Sequence, residues 1–273
     1  MFKKVYVEIG NLCNLHCQFC SLNHRKSHLM KASEFQKIAP EIKKFSDYIY
    51  LHVKGEPLMH PELEEILKIC EEVKLKVNIT TNGTLLLEKL EILKKNDCIR
   101  QVNISAHAFS EIPNFNKIKY LEGLRQIVDF VKETKKFYLS IRFWIENKEV
   151  KNEVASYLEE NCGIILGDTD GKVYENIYSS YDEEFVWPSL DHEFIGETGR
   201  CLGTKDQIAI LANGDVVPCC LDCNGVIVFG NCFEEKLENI LKSGRFMNMR
   251  KEFGNNKVIE ELCKRCSYRL KFK

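Results

Sequence analysis

Cys13, Cys17 and Cys20 crowd into the eight residues CNLHCQFC near the start of the chain. Three thiols match none of the common structural uses of cysteine: a disulfide takes two and a structural zinc site takes four ligands. Each iron of a cubane [4Fe–4S] cluster needs one external ligand. Three thiolates therefore hold three irons and leave the fourth open to another molecule. On residue types alone, a zinc ion completed by His16 or His24 is the alternative. A second group lies toward the other end: Cys201, Cys219, Cys263 and Cys266, with Cys220, Cys223 and Cys232 close by. Four thiolates satisfy a cubane fully, or one zinc ion, and the residues alone leave both open.

Positioning such groups takes a sizeable scaffold, and 273 residues suffice for one large domain or a domain with a small partner. The chain is 44% hydrophobic and 29% charged, the profile of a globular protein. Lys+Arg 39 against Asp+Glu 40 provides no basic field to gather nucleic acid. Val5 to Ile9 is too short for the apolar core of a signal peptide, and no run approaches a membrane span. The expectation is a cytoplasmic protein with neither nucleic-acid nor membrane partners, in which thirteen cysteines are not a disulfide framework. Cys70, Cys98 and Cys162 stand apart from the clusters, and Cys70 falls in phase with Leu63, Ile66, Leu67 and Val73 on one helical face, a core position.

The first 165 residues alternate strand and helix. Strands are expected at 4–9, 47–53, 76–80, 101–105, 137–144 and 163–166, with helices at 32–45, 63–73, 85–93, 121–131 and 150–158. That rhythm predicts parallel βαβ units with right-handed crossovers. Six units fall short of the eight that close a barrel, so the expected fold is α/β, a partial (β/α)6 barrel. Residues 167–198 are polar and turn-rich and read as a connecting segment. From 199 the chain is a small cysteine-rich unit, with a hairpin turning at Asn213-Gly214-Asp215 and a helix over 235–252. The expected division is thus 1–166, 167–198 and 199–273. The three-cysteine loop follows the first strand, at the carboxyl end where parallel α/β folds place their chemistry.

Cys13-x3-Cys17-x2-Cys20, with Phe19 before the last cysteine, resembles the signature of the radical S-adenosylmethionine superfamily. Lys54-Gly55-Glu56-Pro57 follows the second strand and is similar to that family's Gly-Gly-Glu-Pro motif, with Lys54 in place of the first glycine. Thr80-Thr81-Asn82-Gly83 resembles its Thr-Asn-Gly turn after the third strand. The resemblance implies a [4Fe–4S] cluster on Cys13, Cys17 and Cys20 whose open iron chelates S-adenosylmethionine. Reductive cleavage of that cofactor gives a 5′-deoxyadenosyl radical that abstracts a substrate hydrogen. It further implies cofactor contacts from Phe19, Gly55, Glu56, Pro57, Asn82, Ser105 at the end of the fourth strand and Arg142 on the fifth, and a flavodoxin- or ferredoxin-type reductant. Glu56 is expected to accept a hydrogen bond from the methionine ammonium.

The second cysteine group resembles the SPASM region of that superfamily, or its shortened Twitch form: Cys201, then Gly214-x4-Cys219, then Cys263-x2-Cys266. By this resemblance the four cysteines hold a second, auxiliary [4Fe–4S] cluster with no open iron, one that carries electrons or braces the fold. Cys220, Cys223 and Cys232 are left as bystanders, with a three-thiolate site or a hydrogen-donating thiol as the alternatives. Asp191, His192 and Glu197 read as surface or capping residues, and no general base is identifiable. An auxiliary cluster favours a two-electron oxidation, dehydrogenation or cross-linking, over a redox-neutral rearrangement, epimerisation or a non-catalytic iron–sulfur protein. A first strand at residue 4 gives the expectation of a small-molecule substrate, or a peptide presented by another protein. The molybdopterin-precursor cyclase is similar in layout, but the closing Lys271-Phe272-Lys273 and the four-cysteine set count against that identity.

Overall fold

The computed structural model describes residues 1–21, 24–145 and 147–272. Short β-rich runs alternate with amphipathic helices and build one mostly parallel, unclosed sheet. Its strands are β1 (Lys4–Val7), β2 (Tyr48–Tyr50), β3 (Lys76–Thr81), β4 (Ile99–Ser105), β5 (Tyr138–Trp144), β6 (Gly171–Tyr174), β7 (Ile177–Asp182), β8 (Gln207–Ile210) and β9 (Val216–Val217), in the order β6-β7-β5-β4-β3-β2-β1-β8-β9. Every pairing from β8 across to β7 is parallel; only the edge pairs β6·β7 and β8·β9 are antiparallel. The crossover helices are α1 (Ala32–Lys43), α2 (Leu63–Glu72), α3 (Leu86–Lys95), α4 (Asn114–Thr134) and α5 (Lys148–Cys162). The partial barrel expected from the sequence is what forms.

Period-two alternation along the strands separates two environments. Val5, Val7, Ile49, Val77, Ile79, Val102, Ile104, Leu139, Ile141 and Phe143 turn to the helices and join one large core, which also takes in Cys70, Cys98 and Cys162. The alternate positions, among them Tyr6, Tyr50, Asn78, Asn103, Ser105 and Arg142, form the concave face and are largely polar. A parallel strand buried on both sides is normally apolar throughout. The polar inner face departs from that pattern.

The sixth strand is not at 163–166. Asn147 caps the start of α5 by accepting a hydrogen bond from the Val150 N–H, and Gly163 ends it at φ 62°. In that terminus the Gly163 and Ile164 N–H groups donate back to the Glu159 and Leu158 carbonyls. Ile164 thus has no N–H left for a sheet, and Ile164 and Leu166 simply bury their side chains in the core. The place beside β5 goes to β7, delivered by the β6–β7 hairpin from the segment expected to be a connector.

The hairpin around Asn213-Gly214-Asp215 is present, but β8 also pairs with β1 over four residues, so it extends the barrel sheet. The helix expected over 235–252 is two: α6 (Leu237–Leu241) and α7 (Gly244–Gly254), the second capped by the Ser243 hydroxyl. A short helix α8 (Glu261–Lys264) leads to the last cysteine pair.

Candidate functional site

The three-cysteine loop leaves the carboxyl end of β1 and is closed at its base by Asn11. The Asn11 side chain accepts from the His28 N–H (2.8 Å) and donates to the Lys26 carbonyl (2.9 Å). A tight turn in which the Cys20 N–H donates to the Cys17 carbonyl (3.0 Å) keeps the three thiols on one short stretch. Cys13 and Cys20 are exposed and Cys17 half-buried, all three unpaired. Phe19 packs edge-on against His107 and Trp144, which stack on each other at 4.3 Å, so the ring beside Cys20 is braced by β5 and the turn after β4.

The two motif loops close on this loop from the side. Gly55 has φ 77°, and a Cβ there would meet the Gly10 carbonyl oxygen at 2.3 Å, so only glycine permits this approach. The next N–H, of Glu56, donates to the Leu12 carbonyl (2.8 Å). Pro57 is buried and opens a single 3₁₀ turn, Pro57–Met59. The Asn82 amide lies 3.6 Å from the Cys13 sulfur and donates to Asn14 Oδ1 (2.9 Å). Glu56 faces inward: its carboxylate accepts from the Leu58 N–H, the Thr81 hydroxyl and the Asn82 N–H. Its first duty is to bind the turn after β2 to the turn after β3; burial pushes its carboxyl up to about 7 against the pull of those donors. Ser105 and Arg142 are register partners on the concave face, with Arg142 donating to Asn103 Oδ1 (2.9 Å).

Several residues at this site carried no sequence signal. Glu8 is fully buried, and its two oxygens accept from Arg25 Nη2 (2.7 and 2.8 Å), the Lys54 N–H (3.1 Å) and the Ala212 N–H (3.0 Å). One carboxylate thereby ties β1, the far side of the cysteine loop, the second motif and the C-terminal region together. The Lys54 ammonium reaches the Cys20 sulfur at 2.9 Å.

Cys201, Cys219, Cys263 and Cys266 line one cavity, together with Pro188, Asp222 and Tyr268. Arg269 braces its wall by donating to the Gly196, Thr198 and Cys263 carbonyls, and the Asp222 carboxylate accepts from the Val226 and Ile227 N–H groups. Among the described residues no three His, Cys, Asp or Glu side chains converge on single-ion spacing; the four thiols surround a space.

Burial pushes Cys17 up to about 12 and Cys219 and Cys263 well above the ordinary thiol range. Thiols so desolvated ligate only where a metal cation displaces the proton, and two such sets fit iron–sulfur binding. Cys232 belongs to the core and Cys220 sits beside the Tyr6 hydroxyl. The Cys223 sulfur lies 3.2 Å from Ser21 Oγ in the first loop. His192 gives its carbonyl to Arg265, Glu197 pairs with Lys264, and Asp191 turns back on Ser189, consistent with surface and bracing roles.

The model of the radical SAM superfamily matches residues 7–145, and that of an iron–sulfur cluster-binding domain, SPASM, matches residues 201–267. The chain belongs to the radical SAM superfamily. Membership implies a [4Fe–4S] cluster and S-adenosylmethionine as cofactors, with auxiliary iron–sulfur in the SPASM domain.

A tungsten-containing aldehyde ferredoxin oxidoreductase cofactor-modifying protein of Pyrococcus furiosus is 33% identical over 92 residues, 32% of this chain and 26% of that protein. A probable GTP 3′,8-cyclase of Saccharolobus islandicus is 25% identical over 166 residues, 58% of this chain and 53% of the cyclase. The chain thus spans between a quarter and about half the length of these curated relatives.

Solved structures share the fold. BtrN in complex with AdoMet and 2-DOIA has TM-score 0.59 and 17% identity, covering 98% of this chain and 93% of BtrN. Streptococcus suis SuiB bound to S-adenosylmethionine has TM-score 0.57 and 19% identity, covering 92% and 68%. Native anSMEcpe, with bound AdoMet and Cp18Cys peptide, has TM-score 0.62 and 14% identity, covering 97% and 86%. Among the described residues no helix is long and apolar enough to cross a membrane.

Proposed function

We propose that this radical SAM enzyme carries out a two-electron oxidation, a dehydrogenation or a cross-link, on a small molecule or peptide. The observation that carries the reading is the pairing of an open three-thiol loop with a separate, closed four-thiol cavity, joined by one aromatic row. Phe19 beside the first set meets Trp144 at 5.4 Å, Trp144 meets Phe185 at 6.2 Å, and Phe185 meets Tyr268 of the second cavity at 5.4 Å. Phe185 also packs on Trp187, and the adjoining Pro188 lines the four-thiol cavity.

In this reading Cys13, Cys17 and Cys20 hold the reactive cluster, and Cys201, Cys219, Cys263 and Cys266 hold one auxiliary [4Fe–4S] cluster. When bound, the first cluster with S-adenosylmethionine supplies the radical that takes a substrate hydrogen, and the second accepts the further electron that makes the outcome an oxidation. The chain's own groups orient the reactants. Asn82 and the Gly55 turn hold the loop, Glu56 fixes both turns, and Ser105 and Arg142 offer hydroxyl and guanidinium groups on the concave face. Trp144, Phe185 and Trp187 pack ring on ring between the two cysteine sets. A flavodoxin- or ferredoxin-type donor supplies the electron, in the cytoplasm. The division at 166 and 199 is part of this proposal. Solved proteins of the fold hold either kind of ligand: SuiB the precursor peptide SuiA, anSMEcpe the Cp18Cys peptide, BtrN 2-DOIA. A redox-neutral outcome is the second reading, favoured by the buried Cys223 thiol beside the first loop, placed to return a hydrogen.

Anaerobically purified protein is expected to carry about eight irons per chain, four in each cluster. With reductant and S-adenosylmethionine it is expected to yield 5′-deoxyadenosine. Four irons with one zinc would sink the auxiliary cluster. A screen of deuterated small molecules and peptides for label transfer into 5′-deoxyadenosine then finds the substrate. Product two hydrogens short of substrate supports oxidation; product isomeric with substrate supports the neutral reading.

A further inference from the structure

Position 54 is where the second motif departs from its usual glycine, and the structure shows what the replacement adds. Lys54 is only 7% exposed, although a lysine ammonium normally seeks water. It lies 2.9 Å from the Cys20 sulfur and 3.1 Å from Ser21 Oγ, and it also donates to the Ser21 carbonyl. The Trp187 ring covers it, 5.1 Å from nitrogen to centroid. Among the described residues no carboxylate lies at ion-pair distance from it. Glu8, which takes the Lys54 backbone N–H, is committed to Arg25. A buried cation without an anion is costly, and proteins pair or neutralise such groups. Among the described residues the sulfur in contact with the ammonium is that of Cys20, a thiolate once it ligates the proposed cluster, while the Cys223 sulfur lies one contact further away, on Ser21 Oγ.

We propose that Lys54 is a built-in counter-charge for the three-thiolate cluster and raises its reduction potential. The inference rests on Cys13, Cys17 and Cys20 being the cluster's ligands. One electron from a low-potential donor enters the cluster, which becomes more negative by one charge; no proton is taken up and no bond is made. A fixed positive charge against one ligand sulfur favours that more negative state, and the Trp187 lid strengthens the effect by keeping water away. In this proposal Lys54 acts through the Cys20 ligand and is a positioning residue.

The test is a redox titration of anaerobically reconstituted protein. It follows the reduced-cluster electron paramagnetic resonance signal that changes when S-adenosylmethionine is added. Lys54→Met keeps an unbranched side chain, one atom shorter, and removes the charge. It is expected to lower the equilibrium constant for one-electron reduction at least tenfold, about 59 mV more negative. Lys54→Arg keeps the charge and is expected to stay within about threefold of the parent protein. The signal that does not respond to S-adenosylmethionine is expected to be unmoved in both. A fully iron-loaded Lys54→Met protein with the parent potential overturns the proposal. Where Lys54→Met does not load, Lys54→Gln, which retains an N–H donor for Ser21, decides: loading only in the parent and Lys54→Arg supports a required charge. Loss of iron in all three variants, or loading of Lys54→Gln at the parent potential, overturns it. Failure of the underlying ligand assignment is separately visible, because the parent protein would then lack the responsive signal altogether.

Discussion

Replacing Glu8 by Gln probes the junction on which both cysteine sets depend. The carboxylate is fully buried and takes four hydrogen bonds, two of them from one Arg25 nitrogen at 2.7 and 2.8 Å. Gln keeps the shape, but it removes the charge opposite Arg25 and turns one acceptor into a donor, which must then face an N–H. Removing one partner of a buried ion pair costs about 3–5 kcal/mol, because the other charge is stranded. The Arg25 side chain is 13% exposed and can recover some hydration, so the lower end, about 3 kcal/mol, applies. Against a total stability of about 5–15 kcal/mol this is a large loss. With a urea dependence near 3 kcal/mol per molar, the unfolding midpoint falls by about 1 M. The assay is urea unfolding of iron-loaded protein under argon, followed by circular dichroism, for Glu8→Gln, Arg25→Met and the double variant. The double variant is expected to lose less than the sum of the singles, by about 1–3 kcal/mol. A midpoint shift below about 0.2 M for Glu8→Gln, or strict additivity, refutes the reasoning.

Gly55→Ala forces a Cβ to 2.3 Å from the Gly10 carbonyl oxygen at a φ that alanine disfavours; iron analysis is expected to show about four irons per chain in place of about eight. Full loading would mean the second motif does not set the loop. Cys219→Ser is expected to lose about four irons yet still cleave S-adenosylmethionine to 5′-deoxyadenosine, whereas Cys232→Ala, a core position, keeps all its iron. Iron loss on changing Cys232 would make it a ligand. Burial, with Arg142 and Lys4 nearby, holds His52 down at about 3, so the folded state keeps it neutral. That contribution to stability is whole above the unfolded value near 6.5 and declines as pH falls toward 3, by about 1.4 kcal/mol per unit at most. Urea midpoints at pH 7, 6 and 5 are therefore expected to fall more steeply for the parent chain than for His52→Gln; parallel slopes would show His52 is not the titrating group.

What the sequence made legible is what is local. Three thiols at fixed spacing, a glycine before Glu56 and an Asn-Gly after a β-rich run are each written in a few consecutive residues, and the structure gathers them at one end of the sheet. Strand periodicity gave β1 to β5 for the same reason. The sixth failed because Gly163-Ile164-Ile165-Leu166 is a short apolar run that reads as a strand, while the Ile164 N–H is spent on the Leu158 carbonyl in the helix terminus. Periodicity reports side chains and is silent on which backbone groups are already used. Glu8 and Arg25 were illegible in a different way, and Lys54 was legible only as a departure from the motif's glycine. A lone acid just after a strand is unremarkable until partners 17, 46 and 204 positions away come into contact with it.

The same long-range pairing bears on how the two cysteine sets are related. The residues matched by the SPASM model begin at 201, yet β8 lies within them and pairs with β1 from Lys4 to Val7. The strand that launches the three-cysteine loop is therefore held between β2 on one side and a strand of the C-terminal region on the other. Glu8, the next residue, repeats the arrangement with side-chain chemistry, taking Lys54 from the barrel and Ala212 from beyond β8. A division drawn near 166 separates two chemistries along the chain, while the hydrogen bonds that orient the first site cross it. The four-thiol region and the three-thiol loop are thus joined by backbone pairing as well as by the Phe19–Trp144–Phe185–Tyr268 row. In the oxidation proposed above, the substrate's second electron goes to the four-thiol site, and this pairing keeps that site on the same sheet as the three-thiol loop.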